Sequence, residues 1–131
     1  MLTALSIISS PSETGLGQQK ITQLAKNANW FRQEMERIGL HTYGDYNSPI
    51  IPVLIYHPGK VAAFSRECLS RGVAVVVVGF PATSIVLSRA RFCISASHTR
   101  SDLEYAVKVI EEVAELLCLR YGCNMFGCES I

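Results

Sequence analysis

The sequence lacks an excess of charge of either sign. Its 12 lysines and arginines nearly balance 11 aspartates and glutamates, leaving a net charge of +1 over 131 residues. Electrostatic binding of nucleic acid needs a surplus of positive charge, so this composition argues against that function. The apolar runs are also well short of the ~18 residues of a membrane span. The opening MLTALSIIS has no basic region that would mark a signal peptide.

A regular disulfide framework is missing as well. The five cysteines are an odd number, and the spacing of Cys118, Cys123 and Cys128 is not one that zinc sites use. No histidine lies near these three residues in the sequence. We therefore expect free thiols in a reducing compartment, with a metal site or a redox switch as the alternatives.

Apolar residues make up 49 % of the chain and recur with the periods of helices and strands. The pattern predicts helices over residues 18–38, over residues 60–71 after a Pro58–Gly59 turn, and from Thr99 onward, and strands over residues 41–43, 49–56, 73–78 and 90–96. Thr99 and Asp102 have the spacing of a capping box. Helices alternating with pairs of strands predict a two-layer α/β sandwich, with helices on one face of a mostly antiparallel sheet.

This predicted α/β domain does not fill the whole chain. We assign residues 17–121 to it, residues 1–16 to the remnant of an interdomain helix or linker, and residues 122–131 to a loose tail. The tail residues lose the apolar periodicity of the helix before them, which is the reason for ending the domain there.

Two arginines stand out in the second half of the domain. Residues 73–78 are almost all β-branched, a pattern typical of a strand covered on both faces. In the strand after it, Arg89 and Arg91 share one face because side chains alternate, while Ala90 and Phe92 share the other, apolar face. Two guanidinium groups side by side on the outer face suit the binding of an anion, especially a carboxylate.

The segment around these arginines reads GFPATSIVLSRARFCISASHT. It resembles the C-terminal segment of the α-oxoamine synthases, which are pyridoxal-phosphate enzymes that join an amino acid to an acyl-CoA. Within this family it is most similar to the serine palmitoyltransferases, in the form of their subunit that carries the cofactor lysine. The similarity continues through QLAKNANWFR, SPIIPVLIY and PGKVAAFSRECL, and covers residues 15–121.

This resemblance implies the small C-terminal domain of a fold-type-I pyridoxal-phosphate enzyme. The implied reaction condenses L-serine with palmitoyl-CoA to 3-ketosphinganine, the first step of sphingolipid long-chain base synthesis. The implied assembly is a heterodimer with a homologous partner subunit at the cytosolic face of the endoplasmic reticulum membrane. The present chain, taken alone, is expected to be soluble and cytosolic.

The resemblance also implies roles for individual residues. It makes Arg91 the residue that binds the carboxylate of serine, with a structural ion pair as the alternative. Arg89 is a weaker candidate for substrate binding. The loop residues Pro81, Ala82 and Thr83 correspond to a mobile loop at the mouth of the active site. The family pattern has a proline where this chain has Ser84, so tight closure of that loop is in doubt.

A lysine suited to the cofactor is the part of the family pattern that the chain lacks. Its four lysines, Lys20, Lys26, Lys60 and Lys108, fall on helix-like stretches, whereas pyridoxal phosphate is held as a Schiff base on a lysine. We expect that lysine in a large domain that precedes residue 1. The chain alone should then hold no catalytic residue, no cofactor and no metal.

Two other interpretations of the sequence stay open. One is a different α-oxoamine synthase. The other is a stand-alone, non-catalytic α/β module that binds a carboxylate or a synthase subunit.

Overall fold

A computed structural model describes residues 16–84 and 87–119 of the chain. In these ranges the chain forms helices α1 (Leu16–Ile38), α2 (Pro58–Ser70) and α3 (Arg100–Leu116), and strands β1 (Ile50–Leu54), β2 (Val76–Val78) and β3 (Arg89–Cys93). All but one residue of the predicted linker, and the whole predicted tail, lie outside the described residues.

The three strands form one antiparallel sheet in the order β1-β3-β2. β3 lies in the middle, so that Arg91 faces Pro52 of β1 on one side and Val76 of β2 on the other. The helices cover one face of this sheet. The predicted two-layer α/β fold is therefore confirmed.

The core lies between the sheet and the helices, and Phe92 is at its centre. The ring of Phe92 lies 5.5 Å from that of Phe31 on α1 and 6.4 Å from that of Phe64 on α2, measured between centroids. Ala90 on the same strand is fully buried, whereas Arg91 and Cys93 are exposed. The strict alternation along β3 confirms which face of this strand was predicted to be apolar.

The capping box predicted at the start of α3 is present. Thr99 Oγ1 accepts a hydrogen bond from the backbone N–H of Asp102, and the Asp102 carboxylate accepts one from the backbone N–H of Thr99. At the other end of the domain α1 stops at Ile38, and Gly39 follows with φ of 90°. That conformation favours glycine, which is common at the C-cap of a helix.

The predicted turn at Pro58 and Gly59 is wrong, because helix α2 begins at Pro58 itself. Proline fits the first helical position because its fixed φ suits the helix and its missing N–H needs no partner there.

The strand predicted over residues 73–78 shortens to Val76–Val78. The Val75 carbonyl accepts a hydrogen bond from Ser65 Oγ of α2 at 3.3 Å, which ties this residue to the helix layer. β2 is also an edge strand, and Val76 is 52 % exposed. The expectation of a strand covered on both faces is therefore wrong within the described part of the chain.

The strand predicted over residues 41–43 is reduced to a single bridge between Thr42 and Val53. Two backbone hydrogen bonds flank it, from Leu54 N–H to the His41 carbonyl at 2.9 Å and from Tyr43 N–H to the Pro52 carbonyl at 3.3 Å. The segment thus lies beside β1, on the edge away from β3. Gly44, with φ of 98°, then turns the chain away and ends the pairing.

Candidate functional site: an open sheet face with two arginines

The sheet face opposite the helices is the candidate site, and we call it the open face. Its members follow from strand register and alternation: Tyr43 beside β1; Ile50, Pro52 and Leu54 on β1; Arg89, Arg91 and Cys93 on β3; Val76 and Val78 on β2. The two arginines therefore lie on the central strand, between apolar neighbours.

Arg91 has an exposed side chain on this face. Its cross-strand neighbours, Pro52 and Val76, carry neither charge nor a side-chain acceptor. Within residues 16–84 and 87–119 no hydrogen bond or ion pair engages its guanidinium. A planar fork of donors on a rigid central strand is well suited to bind a carboxylate through two hydrogen bonds.

Arg89 shares the face, as predicted, but its guanidinium is engaged. Arg89 Nη1 donates to the hydroxyl of Tyr43, and the guanidinium carbon lies 5.5 Å from the centre of the Tyr43 ring. The sequence pattern treats the two arginines alike. The structure separates them, since one is held by an aromatic neighbour and the other is not.

Tyr43 is in turn held by a buried arginine of α1. Arg32 is only 2 % exposed, and its Nη1 and Nη2 donate to the backbone carbonyls of Tyr43 at 3.1 Å and Asp45 at 3.0 Å. The Tyr46 ring also lies under this guanidinium, with 5.6 Å between its centroid and the guanidinium carbon. Burying a charge is costly unless hydrogen bonds satisfy it, so these bonds fix the turn firmly.

A second side chain of α1 holds the turn that follows β3. Asn27, 6 % exposed, donates from Nδ2 to the carbonyls of Ser95 at 3.3 Å and His98 at 3.1 Å. Its Oδ1 accepts a hydrogen bond from Gln23 Nε2 at 2.8 Å. Neither Asn27 nor Arg32 was recognised from the sequence, because polar residues in an amphipathic helix are normally read as part of its solvated face.

The predicted loop residues lie in the connection between β2 and β3. Pro81 and Ala82 are exposed, and the backbone N–H of Thr83 donates to the Gly79 carbonyl at 3.2 Å. The Thr83 hydroxyl is buried and has no hydrogen-bond partner among the described residues. Since β2 ends opposite Arg89, the loop leaves the sheet at the Arg89 end of the open face.

The marked pKa shifts of the domain lie away from Arg91. Burial raises the pKa of the Cys68 thiol on α2 to about 11. The hydrogen bonds from the Thr99 hydroxyl and backbone N–H lower the pKa of the Asp102 carboxyl at the start of α3. Both shifts have structural causes, and neither points to an acid or a base on the open face.

A separate cleft of about 460 Å³ lies between β3 and the first turns of α3, with Phe31, Phe92 and Leu103 in its wall. Its polar side chains are committed to the fold. Asp102 caps α3, and the Tyr105 hydroxyl donates to a backbone carbonyl at 3.0 Å. The cleft thus offers few free polar groups to orient a ligand.

The lysines do not fit a covalent site for pyridoxal phosphate. All four lie on helices α1, α2 and α3, on the far side of the sheet from Arg91. Lys60 donates from Nζ to the Cys118 carbonyl at 3.3 Å, and the other three are exposed. Among the described residues no three His, Cys, Asp or Glu side chains come together as metal ligands. No helix in these ranges is long and apolar enough to cross a membrane.

The fold of the domain is found in a segment of a solved enzyme. A solved serine palmitoyltransferase from Sphingomonas wittichii superimposes with a TM-score of 0.72, at 21 % sequence identity, over 76 % of this chain and 25 % of that one. The chain thus has the α/β fold of a segment of a fold-type-I pyridoxal-phosphate enzyme. At this identity the likeness concerns the fold alone.

The sequence then gives the family. Residues 3–110 match the model of the aminotransferase class I and II family, and the chain belongs to that family. It is 47 % identical to long chain base biosynthesis protein 2a of Arabidopsis thaliana over 92 % of its own length and 25 % of that protein's. It is 45 % identical to serine palmitoyltransferase 3 of Homo sapiens, covering 93 % of this chain and 22 % of that protein.

These relatives confirm the resemblance to serine palmitoyltransferases that the sequence motifs indicated. The chain spans about a quarter of the length of the relatives it matches.

Proposed function

We propose that this chain is the C-terminal part of a serine C-palmitoyltransferase and that Arg91 binds the carboxylate of L-serine. The observation that carries the proposal is the position of Arg91, exposed on the central strand and unengaged within the described residues, next to an Arg89 that is engaged. The names of the similar proteins support the reaction class.

Arg91 is suited to this role by its surroundings. Its apolar neighbours Pro52 and Val76 provide no competing partner, so an incoming carboxylate takes both donors of the guanidinium fork. Anchoring the arginine on a central strand limits the freedom lost on binding, and it fixes the direction from which the amino acid approaches. This chain therefore orients the substrate and performs no bond-making step.

The remaining parts of the reaction come from outside these residues. We propose that pyridoxal phosphate, which serves as an electron sink at the amino-acid carbon, and its lysine belong to a preceding large domain. Palmitoyl-CoA is the proposed second substrate. A homologous subunit is the proposed partner, at the cytosolic face of the endoplasmic reticulum membrane. In this proposal Pro81, Ala82 and Thr83 move when substrate binds.

The test compares Arg91→Ala and Arg91→Lys with the unmodified full-length enzyme in its complex. Loss of a bidentate, charge-assisted contact is worth about 3 kcal/mol, which corresponds to roughly a 100-fold weaker binding of L-serine. Lysine keeps the charge but not the fork, so it should recover only part of the loss. Binding is followed by the change in cofactor absorbance during titration with L-serine, and turnover by release of CoA.

Arg66→Ala is the matched control, because Arg66 is an exposed arginine on α2, in the layer opposite the open face. The dissociation constant of L-serine for Arg66→Ala should lie within about twofold of that for the unmodified enzyme, since surface substitutions usually have small effects. If Arg91→Ala bound L-serine as tightly as Arg66→Ala, the carboxylate role would be ruled out. The absorbance of the resting enzyme should be the same in all variants, since Arg91 does not hold the cofactor in this proposal.

A further inference from the structure

We propose that Tyr43 is a positioning residue that holds Arg89 away from the carboxylate site at Arg91, so that the open face accepts one carboxylate and discriminates against a second. The inference rests on the proposed function, because it concerns which amino acids that same site selects. It assigns a role to a tyrosine that lies outside the arginine-bearing segment.

The two arginines are close to each other on β3. Arg89 and Arg91 are two residues apart on β3 and point to the same face. Their backbones are therefore about 7 Å apart. Arginine side chains are long enough to bridge such a distance. Left free, both guanidinium groups would converge on a single anion or on two anionic groups of one ligand.

Tyr43 holds the Arg89 side chain through two contacts. The Tyr43 hydroxyl accepts a hydrogen bond from Arg89 Nη1, and the Tyr43 ring lies beside the same guanidinium at 5.5 Å. Tyr43 comes from the segment beside β1, on the edge of the sheet away from β2. The contact thus draws the Arg89 guanidinium sideways across β1, towards the edge of the sheet formed by residues 41–43, while Arg91 remains unengaged within residues 16–84 and 87–119.

The main chain of Tyr43 is itself held in place by two hydrogen bonds. The backbone N–H of Tyr43 donates to the Pro52 carbonyl, and its carbonyl accepts from buried Arg32. Both hydrogen bonds involve main-chain atoms of Tyr43, so they do not depend on its hydroxyl. Replacing Tyr43 by phenylalanine therefore removes the hydrogen bond to Arg89 and keeps the turn that carries the ring.

The consequence is selectivity, which is a difference between two affinities. With Arg89 held, an amino acid with one carboxylate finds its partner in Arg91, and a second carboxylate finds none. With Arg89 released, a second carboxylate gains a guanidinium partner. Release of Arg89 should therefore strengthen the binding of L-aspartate relative to that of L-serine.

The experiment measures dissociation constants of L-serine and L-aspartate for the full-length enzyme by the change in cofactor absorbance, without turnover. In Tyr43→Phe the ratio of the L-aspartate constant to the L-serine constant should fall by roughly tenfold, the low end of one charge-assisted hydrogen bond. The double variant Tyr43→Phe/Arg89→Ala should restore the original ratio, because the released guanidinium is gone.

Tyr46→Phe is the matched control, since it removes a hydroxyl from the same turn without touching Arg89. The ratio should not change in that variant. An unchanged ratio in Tyr43→Phe overturns the inference, and so does a lowered ratio that persists in the double variant. Equal weakening of both ligands in Tyr43→Phe also overturns it, because Tyr43 would then act on the substrate directly.

Arg91→Ala separates this inference from the proposed function. If Arg91→Ala weakens L-serine while Tyr43→Phe leaves the ratio unchanged, only the role of Tyr43 fails. If Arg91→Ala has no effect on either amino acid, the proposed function fails as well.

Discussion

Phe92 and Arg91 are neighbours in sequence on opposite faces of β3, and their replacement by alanine should have opposite consequences. Phe92 is 6 % exposed and contacts the rings of Phe31 and Phe64, so it joins the sheet to helices α1 and α2. Phe92→Ala should destabilise the fold strongly. Arg91→Ala should leave stability nearly unchanged and impair binding.

The size of the effect follows from the area that is lost. A buried phenylalanine removes about 150–250 Å² from water, which at ~25 cal/mol per Å² sets a scale of about 4–6 kcal/mol. Phe→Ala substitutions in protein cores lower the free energy of unfolding by roughly 3–5 kcal/mol, so we expect a loss of about 4 kcal/mol for Phe92→Ala. Because domains are stable by only about 5–15 kcal/mol, this is a large part of the total. Arg91→Ala should cost less than about 0.5 kcal/mol.

Urea unfolding of the chain, followed by tryptophan fluorescence, is the assay. Trp30 is the only tryptophan, and the guanidinium of Arg100 lies 3.6 Å from its ring centre, so its emission reports on packing between α1 and α3. With an m-value of about 2 kcal/mol/M, Phe92→Ala should lower the midpoint by about 2 M. A loss below about 1.5 kcal/mol, or an equal loss in Arg91→Ala, would refute the assignment of the two faces.

Two further predictions concern α3 and α2. Thr99→Ala should lower the free energy of unfolding in urea by about 1 kcal/mol, while Thr99→Ser should retain most of the stability. Because the pKa of the Asp102 carboxyl is lowered in the folded state, the stability that this carboxylate contributes should be present above its ordinary pKa of 3.8 and should be lost as the pH falls through the lowered pKa. Burial raises the pKa of the Cys68 thiol from 9.0 to about 11, so Cys68 should resist alkylation in the folded chain while the exposed Cys93 reacts. The stability that the protonated Cys68 thiol contributes to the fold should be lost as the pH rises from 9.0 to about 11. Mass spectrometry after an alkylation pulse checks this order, and faster labelling of Cys68 than of Cys93 would contradict it.

The sequence predicted those features that depend on local pattern. The alternation of Arg89 to Cys93 identified the faces of β3, and Thr99 with Asp102 identified the cap of α3. Both signals lie within a few residues and reflect the geometry of one element. Family motifs added the proposed role of Arg91 as the residue that binds the serine carboxylate, whereas local pattern alone supports only binding of some anion.

The parts that the sequence did not predict depend on contacts between distant segments. The pairing of Tyr43 with Arg89 requires the register of the 41–43 segment against β1, which no short window contains. The shortening of β2 reflects a hydrogen bond from Ser65 on another element. The burial of Arg32 is likewise set by tertiary packing, which overrides what its residue type suggests.

Helix α1 contributes no side chain to the open face, yet it fixes both turns that border it. Arg32 holds the turn before β1 and Asn27 holds the turn after β3, from positions five residues apart on one rigid rod. The distance between the turn at Tyr43 and the turn at Ser95 is therefore set by helix α1, which binds both turns. Under the proposed roles of Arg91 and Tyr43, amino-acid selectivity at the open face depends on residues of the helix layer, and substitutions in α1 should change that selectivity without altering any residue that meets the ligand.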